Sequence, residues 1–231
     1  MAPSFSEKQK EFYDNKFNSF ATSQMEATMA HFYFLKIQNI INENTVIKDH
    51  SKILEVGVGK GILMEKMVAH FNRCHFQGID VSEKHVQWAQ EKGLNVRIAD
   101  ASSFNLTDKF DFIYGTSILH HLDDAPQFLK KLSLMLNEGG SILFGAENVS
   151  CEVFYIIYLK LRGVWEIEKG MMKLSPKIIR DSLQEDYQDI KIYWHGNMFV
   201  YFSEILGKAY NALRLSRIPC LNDIYVYAKK K

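Results

Sequence analysis

Three kinds of residue in this chain have types and spacing suited to chemistry: a glycine turn, acidic residues that close short apolar runs, and two adjacent histidines. The turn is Ile53-Leu-Glu-Val-Gly57-Val-Gly59-Lys-Gly61. Glycine lets the backbone bend sharply there and sit against a ligand. The spacing argues against two familiar ligands. A dinucleotide fingerprint needs G-x-G-x-x-G, whereas the third glycine comes one residue early, at Gly61, and position 62 is Ile. A Walker phosphate loop needs four residues between its glycines and then Gly-Lys-Ser/Thr, which the segment lacks. Asp80 closes the run His75-Phe-Gln-Gly-Ile-Asp, and Asp100 closes Val96-Arg-Ile-Ala-Asp. His120 and His121 follow the run that begins at Phe110, and imidazole titrates near neutral pH, which suits proton transfer.

The elements that position these groups are read from hydrophobic period. Residues 53–58 read as a buried strand, Ile62 to Phe71 as a helix and 75–80 as a second strand, and strand-like and helix-like periods alternate from 52 to 148. That pattern predicts a doubly wound α/β fold with a mostly parallel sheet covered on both faces. Ligands of such sheets bind at the carboxyl ends of the strands near the topological switch point, which selects Thr116 to His121 and Glu147-Asn148. Two helical patterns precede the block, at about 6–20 and 23–43. Phe12, Tyr13, Phe17 and Phe20 share a stripe of the first, and Met29, Tyr33, Ile37, Ile40 and Ile41 belong to the second. We expect the first alone to cap the pocket, with Tyr13 near the reaction centre, and the second to pack on the sheet. Beyond the fifth strand lie an apolar stretch at 152–172 and the helix-start signal Ser175-Pro176. Gln188 to Trp194 and Asp223 to Tyr227 read as two last strands paired antiparallel at one edge. Between them, residues 198–218 form an insertion of helical period, too long for a hairpin and expected to serve as a lid.

Glu55-x-Gly57-x-Gly59-x-Gly61 resembles the first motif of class I S-adenosylmethionine-dependent methyltransferases, and the resemblance is close over about residues 50–148. It implies a seven-stranded Rossmann-like sheet with an antiparallel last strand, an N-terminal helical cap over 1–45, a cofactor half at 50–148 and a substrate half at 149–231, all in a single domain. It implies S-adenosylmethionine as cofactor, held by Glu55, Gly57, Gly59, Gly61, Asp80, Val81, Asp100, Ala101 and Thr116. Asp80 would accept both ribose hydroxyls, and Asp100 would contact the adenine amino group. Methyl transfer from a sulfonium needs an aligned nucleophile and, for a hydroxyl or ammonium, a base. His120 and His121 are the first candidates for that base; Glu147, Tyr13 and, more weakly, His195 follow. The remaining histidines, His85 among them, carry no special claim.

Composition narrows the substrate. Twenty-eight Lys and Arg against 27 Asp and Glu give a formal charge of +1, so the chain lacks the footprint of a phosphate-backbone binder, and no nucleic acid partner is expected. Three cysteines, Cys74, Cys151 and Cys220, share no metal-ligand spacing and fit a reducing cytoplasm. No signal pattern or spanning run is present. Gly115-Thr-Ser-Ile replaces the Asn/Asp-Pro-Pro-aromatic motif of DNA amino methyltransferases, and the one Pro-Cys, Pro219-Cys220, reads as a turn rather than a cytosine-directed nucleophile. Asp123, Asp124 and Glu147 offer oxygens, yet no Asp occupies the strand-four exit, so no metal is expected. The expected activity is methyl transfer to oxygen or nitrogen of a small, fairly apolar, lipophilic molecule by a monomer or homodimer; weak membrane-surface contact through Lys208, Arg214 and Arg217 ranks below the lid role of the insertion. Methylation of protein or RNA, and a non-catalytic cofactor-binding module, are the alternatives.

Overall fold

The computed structural model describes residues 5–15, 23–45, 47–104, 108–146, 175–196 and 222–231, together with positions 157, 160, 161, 163 and 165. The strands are β1 (Lys52–Val56), β2 (His75–Asp80), β3 (Val96–Ile98), β4 (Phe110–Gly115), β5 (Leu136–Ala146), β6 (Tyr187–Gly196) and β7 (Asn222–Lys230). They form one sheet in the order β3-β2-β1-β4-β5-β7-β6. β1 to β5 run parallel, and β7 lies antiparallel to both β5 and β6. The direction of winding reverses between β1 and β4, which opens a crevice at their carboxyl ends. This is the Rossmann-like arrangement the sequence predicts.

The helices are α1 (Phe5–Asn15), α2 (Ser23–Asn44), α3 (Ile62–His70), α4 (Glu83–Glu91), α5 (Ala125–Ser133) and α6 (Pro176–Leu183), with a 3₁₀ turn at Leu119–His121. Their starts follow local chemistry. Ser175 accepts a hydrogen bond from the Ile178 amide with Pro176 at the first helical position, and Asp124 caps α5 by accepting from the Gln127 amide at 2.9 Å. One face of the sheet buries Ile37, Ile40 and Met67 against Phe112 and Tyr225; the other buries Leu129, Leu132, Ile179 and Leu183 against Leu54 and Ile113. Each such side chain contributes roughly 1.5–3 kcal/mol through removal from water. With both faces covered, Ile53, Leu54, Glu55 and Val56 are all buried, polar residue included.

β5 begins at Leu136 and runs straight through the Asn-Glu-Gly-Gly segment. Gly139, at φ 73°, and a register shift between Phe110 and Phe112 absorb the irregularity. α1 and α2 match the two helical patterns, but Phe17 and Phe20 lie outside the described residues, as do the insertion at 198–218 and most of 152–172; of the latter, Ile157 and Leu161 are exposed. Among the described residues no helix is long and apolar enough to cross a membrane.

Candidate active site

A cavity of 440 Å³ opens at the carboxyl ends of β1, β2 and β4, beneath α1 and α2. Its size falls within the ~300–1,000 Å³ of small-molecule sites. The glycine turn forms part of its wall. Gly61, at φ 78°, precedes α3, and a Cβ there would meet Leu94 Cδ1 at 2.7 Å, so packing demands glycine. Gly59, at φ 55°, is different: a Cβ would meet nothing within 4 Å. The space before it belongs to the cavity, which makes its backbone a cradle for a ligand.

Asp80, at the end of β2, is fixed by the backbone on both sides. Its Oδ2 accepts from the Gly59 amide at 2.8 Å and its Oδ1 from the Ser82 amide at 2.9 Å. A carboxylate has about four acceptor positions, so two remain for a ligand's hydroxyls. His85, one turn into α4, brings Nδ1 to 3.6 Å from Asp80 Oδ1 and packs its ring between Tyr13 and Trp88.

The chain leaves β4 through Thr116 and Ser117 into the 3₁₀ turn that carries the histidines. His120 is buried, His121 is half-buried, and their ring centroids stand 3.9 Å apart. The Tyr13 hydroxyl and His121 Nε2 share a hydrogen bond of 2.9 Å whose direction depends on the imidazole tautomer. α1 is anchored to the body by Asp14, which accepts from Ser82 Oγ at 2.6 Å, and by Lys84 Nζ, which donates to the Asp14 carbonyl at 2.5 Å. α2 is tied to the glycine turn by Lys60 and Glu26, 2.7 Å apart.

Most of the residues singled out in the sequence meet at this cavity. Gly57, Gly59, Asp80, Val81, Asp100, Ala101, Thr116, His120, His121 and Tyr13 line it, while Gly61 shapes the turn from just outside. Glu55 does not belong to the lining. Strand alternation turns its side chain to the face that α2 and α3 cover, where it accepts a 2.5 Å hydrogen bond from the Tyr114 hydroxyl. Burial pushes the Glu55 carboxyl up to about 8, the Tyr114 bond opposes the rise and the charge of Asp80 adds to it. Burial, followed by the negative charge of Glu55, holds the Tyr114 phenol well above its ordinary value. Glu147 lies outside the described residues, and His195 sits in β6 opposite Asp223, with β7 and β5 between that strand and β4. Sequence reasoning missed Gln9, Glu26, Met29, Tyr33 and His85 as lining residues, and they line the cavity beside Ser117, which falls in the selected strand-four exit. α2 therefore shares in the cap that was expected of α1 alone. A Ser-x-x-His spacing directly after Asp80 was an available signal for His85, since it places the ring one helical turn past the N-cap Ser82.

Residues 53–140 match the family model described as a methyltransferase domain. A malonyl-[acyl-carrier protein] O-methyltransferase 1 from Ilyobacter polytropus is 31% identical over 138 residues, covering 58% of this chain and 49% of that protein. A ubiquinone biosynthesis O-methyltransferase from Pseudomonas fluorescens is 25% identical over 170 residues, covering 70% of this chain and 69% of that protein. The chain spans about half the length of the first of these relatives. Among solved structures, the N-methyltransferase NodS from Bradyrhizobium japonicum, in complex with S-adenosyl-L-homocysteine, superimposes with a TM-score of 0.62 at 13% identity, covering 99% of both chains. The phosphoethanolamine N-methyltransferase 2 of Haemonchus contortus, in complex with S-adenosyl-L-methionine, gives 0.63 at 14% identity, covering 99% of this chain and 60% of that one. At such identities the two structures establish the shared fold alone.

Proposed function

We propose that this chain, whose cofactor half is a class I methyltransferase domain, transfers a methyl group from S-adenosylmethionine to an oxygen or nitrogen nucleophile of a small, fairly apolar molecule. The observation that carries the reading is the convergence, in one cavity, of a backbone-oriented carboxylate at Asp80 with the hydrogen-bonded pair Tyr13 and His121. The cofactor fits the residues present: open space faces the Gly59 backbone, and Asp80 keeps acceptor positions for ribose hydroxyls. Asp100 and Ala101 serve the adenine end.

Bound S-adenosylmethionine supplies an electrophilic methyl group on a sulfonium centre. The protein's share is alignment and proton removal. His121, oriented by Tyr13, takes the proton of the nucleophile, and His120 packs behind it. α1 and α2 exclude water from above. Met29, Tyr33 and Ile118 give that side of the cavity the apolar walls and sparse polar anchors that a lipophilic substrate requires. Both curated relatives named above are O-methyltransferases by name, which supports an oxygen nucleophile.

Incubating the protein with methyl-labelled S-adenosylmethionine and a fractionated cell extract tests the reading. Label in one compound of the small-molecule fraction is expected. Label confined to protein or RNA would replace the substrate class, and no transfer to any fraction would leave a cofactor-binding module.

A further inference from the structure

Ser117 adopts φ 52°, a left-handed backbone that costs a residue with a Cβ energy and that glycine or asparagine adopts more readily. It sits at the exit of β4, in the cavity wall. Such strain persists where the surroundings impose it, and it gathers at functional sites. Here the surroundings are identifiable. Ser117 Oγ lies 3.1 Å from the hydroxyl of Tyr33, which reaches it from α2. The next residue, Ile118, places Cδ1 2.6 Å from where a Gly57 Cβ would stand, so the exit loop rests directly on the glycine turn. The Ile118 carbonyl then accepts from the His121 amide at 2.9 Å and closes the 3₁₀ turn that carries both histidines. A change of backbone at Ser117 therefore re-aims that turn.

We propose that Ser117 and Tyr33 form a positioning pair: the bond from α2 holds the left-handed backbone at Ser117, and that backbone sets where His120 and His121 stand relative to the cofactor cradle. The proposal rests on the methyl-transfer reading for its effect on turnover, but not for its effect on the backbone. It explains why a strained serine occupies a position where glycine would be more comfortable, since glycine offers no hydroxyl for Tyr33. It also makes the placement of the histidines depend on the seating of α2, so a cap that has not docked leaves the base misaligned.

Three substitutions test this. Ser117→Gly removes strain and bond together, Tyr33→Phe removes the bond alone, and Ser117→Asn keeps a hydrogen-bonding group on a residue that tolerates the conformation. Ser117→Gly is expected to hold Tm or raise it by ~1–3 °C. In both Ser117→Gly and Tyr33→Phe, amide hydrogen exchange across 116–121 is expected to accelerate at least tenfold. Transfer of labelled methyl to the small-molecule fraction should fall at least tenfold in kcat, with affinity for S-adenosylmethionine within twofold. Ser117→Asn should recover at least half of the lost rate. Exchange across 116–121 that matches wild type in Tyr33→Phe overturns the pair, as does full turnover in Ser117→Gly. Should wild type transfer no label, the functional reading fails by itself and the exchange measurement still decides the pair.

Discussion

Replacing Glu55 with glutamine separates two roles that the first motif of such a fold can assign to its acidic residue. Glu55 is 1% exposed, and its carboxyl is pushed from 4.5 to about 8. The folded protein therefore keeps this proton to higher pH than the unfolded chain does. The stability it supports is fully present below pH 4.5, is lost as pH rises from there to about 8, and changes no further above that. A displacement of that size is worth roughly 3–5 kcal/mol, against a whole-domain stability of about 5–15 kcal/mol. For a chain of this length it corresponds to a fall in Tm of ~6–20 °C. Glu55→Gln has no proton to lose and keeps an oxygen for the Tyr114 hydroxyl. Calorimetric Tm values collected from pH 5 to 9 are expected to coincide for the two proteins near pH 5 and to diverge towards pH 9, with the variant the more stable. Parallel curves would refute the buried, protonated state. The same variant should bind S-adenosylmethionine within about twofold of wild type at pH 7, because Glu55 does not line the cavity. A tenfold loss, about 1.4 kcal/mol, would return Glu55 to the cofactor.

Asp80→Ala should weaken S-adenosylmethionine binding by about 1.5–3 kcal/mol in a calorimetric titration, and unchanged affinity would mean that Asp80 is not the ribose ligand. Gly59→Val and Gly61→Val should fail differently. The first fills the cradle and loses cofactor affinity at least tenfold, whereas the second collides with Leu94 and Ala89 and is read as a lower Tm. His121→Ala should reduce labelled methyl transfer ~10²-fold with cofactor affinity nearly unchanged, and Tyr13→Phe should reduce it less. Equal activity in all three proteins would remove His121 as the base.

The parts of the site that could be read in the sequence are those set by spacing along one stretch of chain. Gly57, Gly59 and Gly61 define the turn, Asp80 ends the next apolar run, and the order of strands follows from the alternation of periods. The direction of the Glu55 side chain could not be read because β1 is buried on both faces, so neighbouring apolar residues give no hint of which way a side chain points. Met29 and Tyr33 were assigned to the core for a related reason: a helix stripe that lines a pocket has the same composition as one that packs on a sheet. Ser117 lay within the selected strand-four exit, but its left-handed backbone gave no signal, since it arises from contacts with α2 and the glycine turn, far away in sequence.

The place of β7 has a consequence for how the chain is made. Ile224 to Ala228 are buried between β5 and β6, so β5 gains its second hydrogen-bonding neighbour from a strand that comes after α6 and β6 in chain order. On a ribosome, the outer edge of β5 stays open while residues 147–221 are synthesised, on the order of ten seconds at cellular elongation rates. For that interval the nascent sheet offers Ser141 to Ala146 as a bare template to any passing strand. The nascent chain therefore passes through a sticky stage that the finished fold conceals, and the yield of native protein depends on how quickly elongation delivers β7 or on a chaperone that covers the gap.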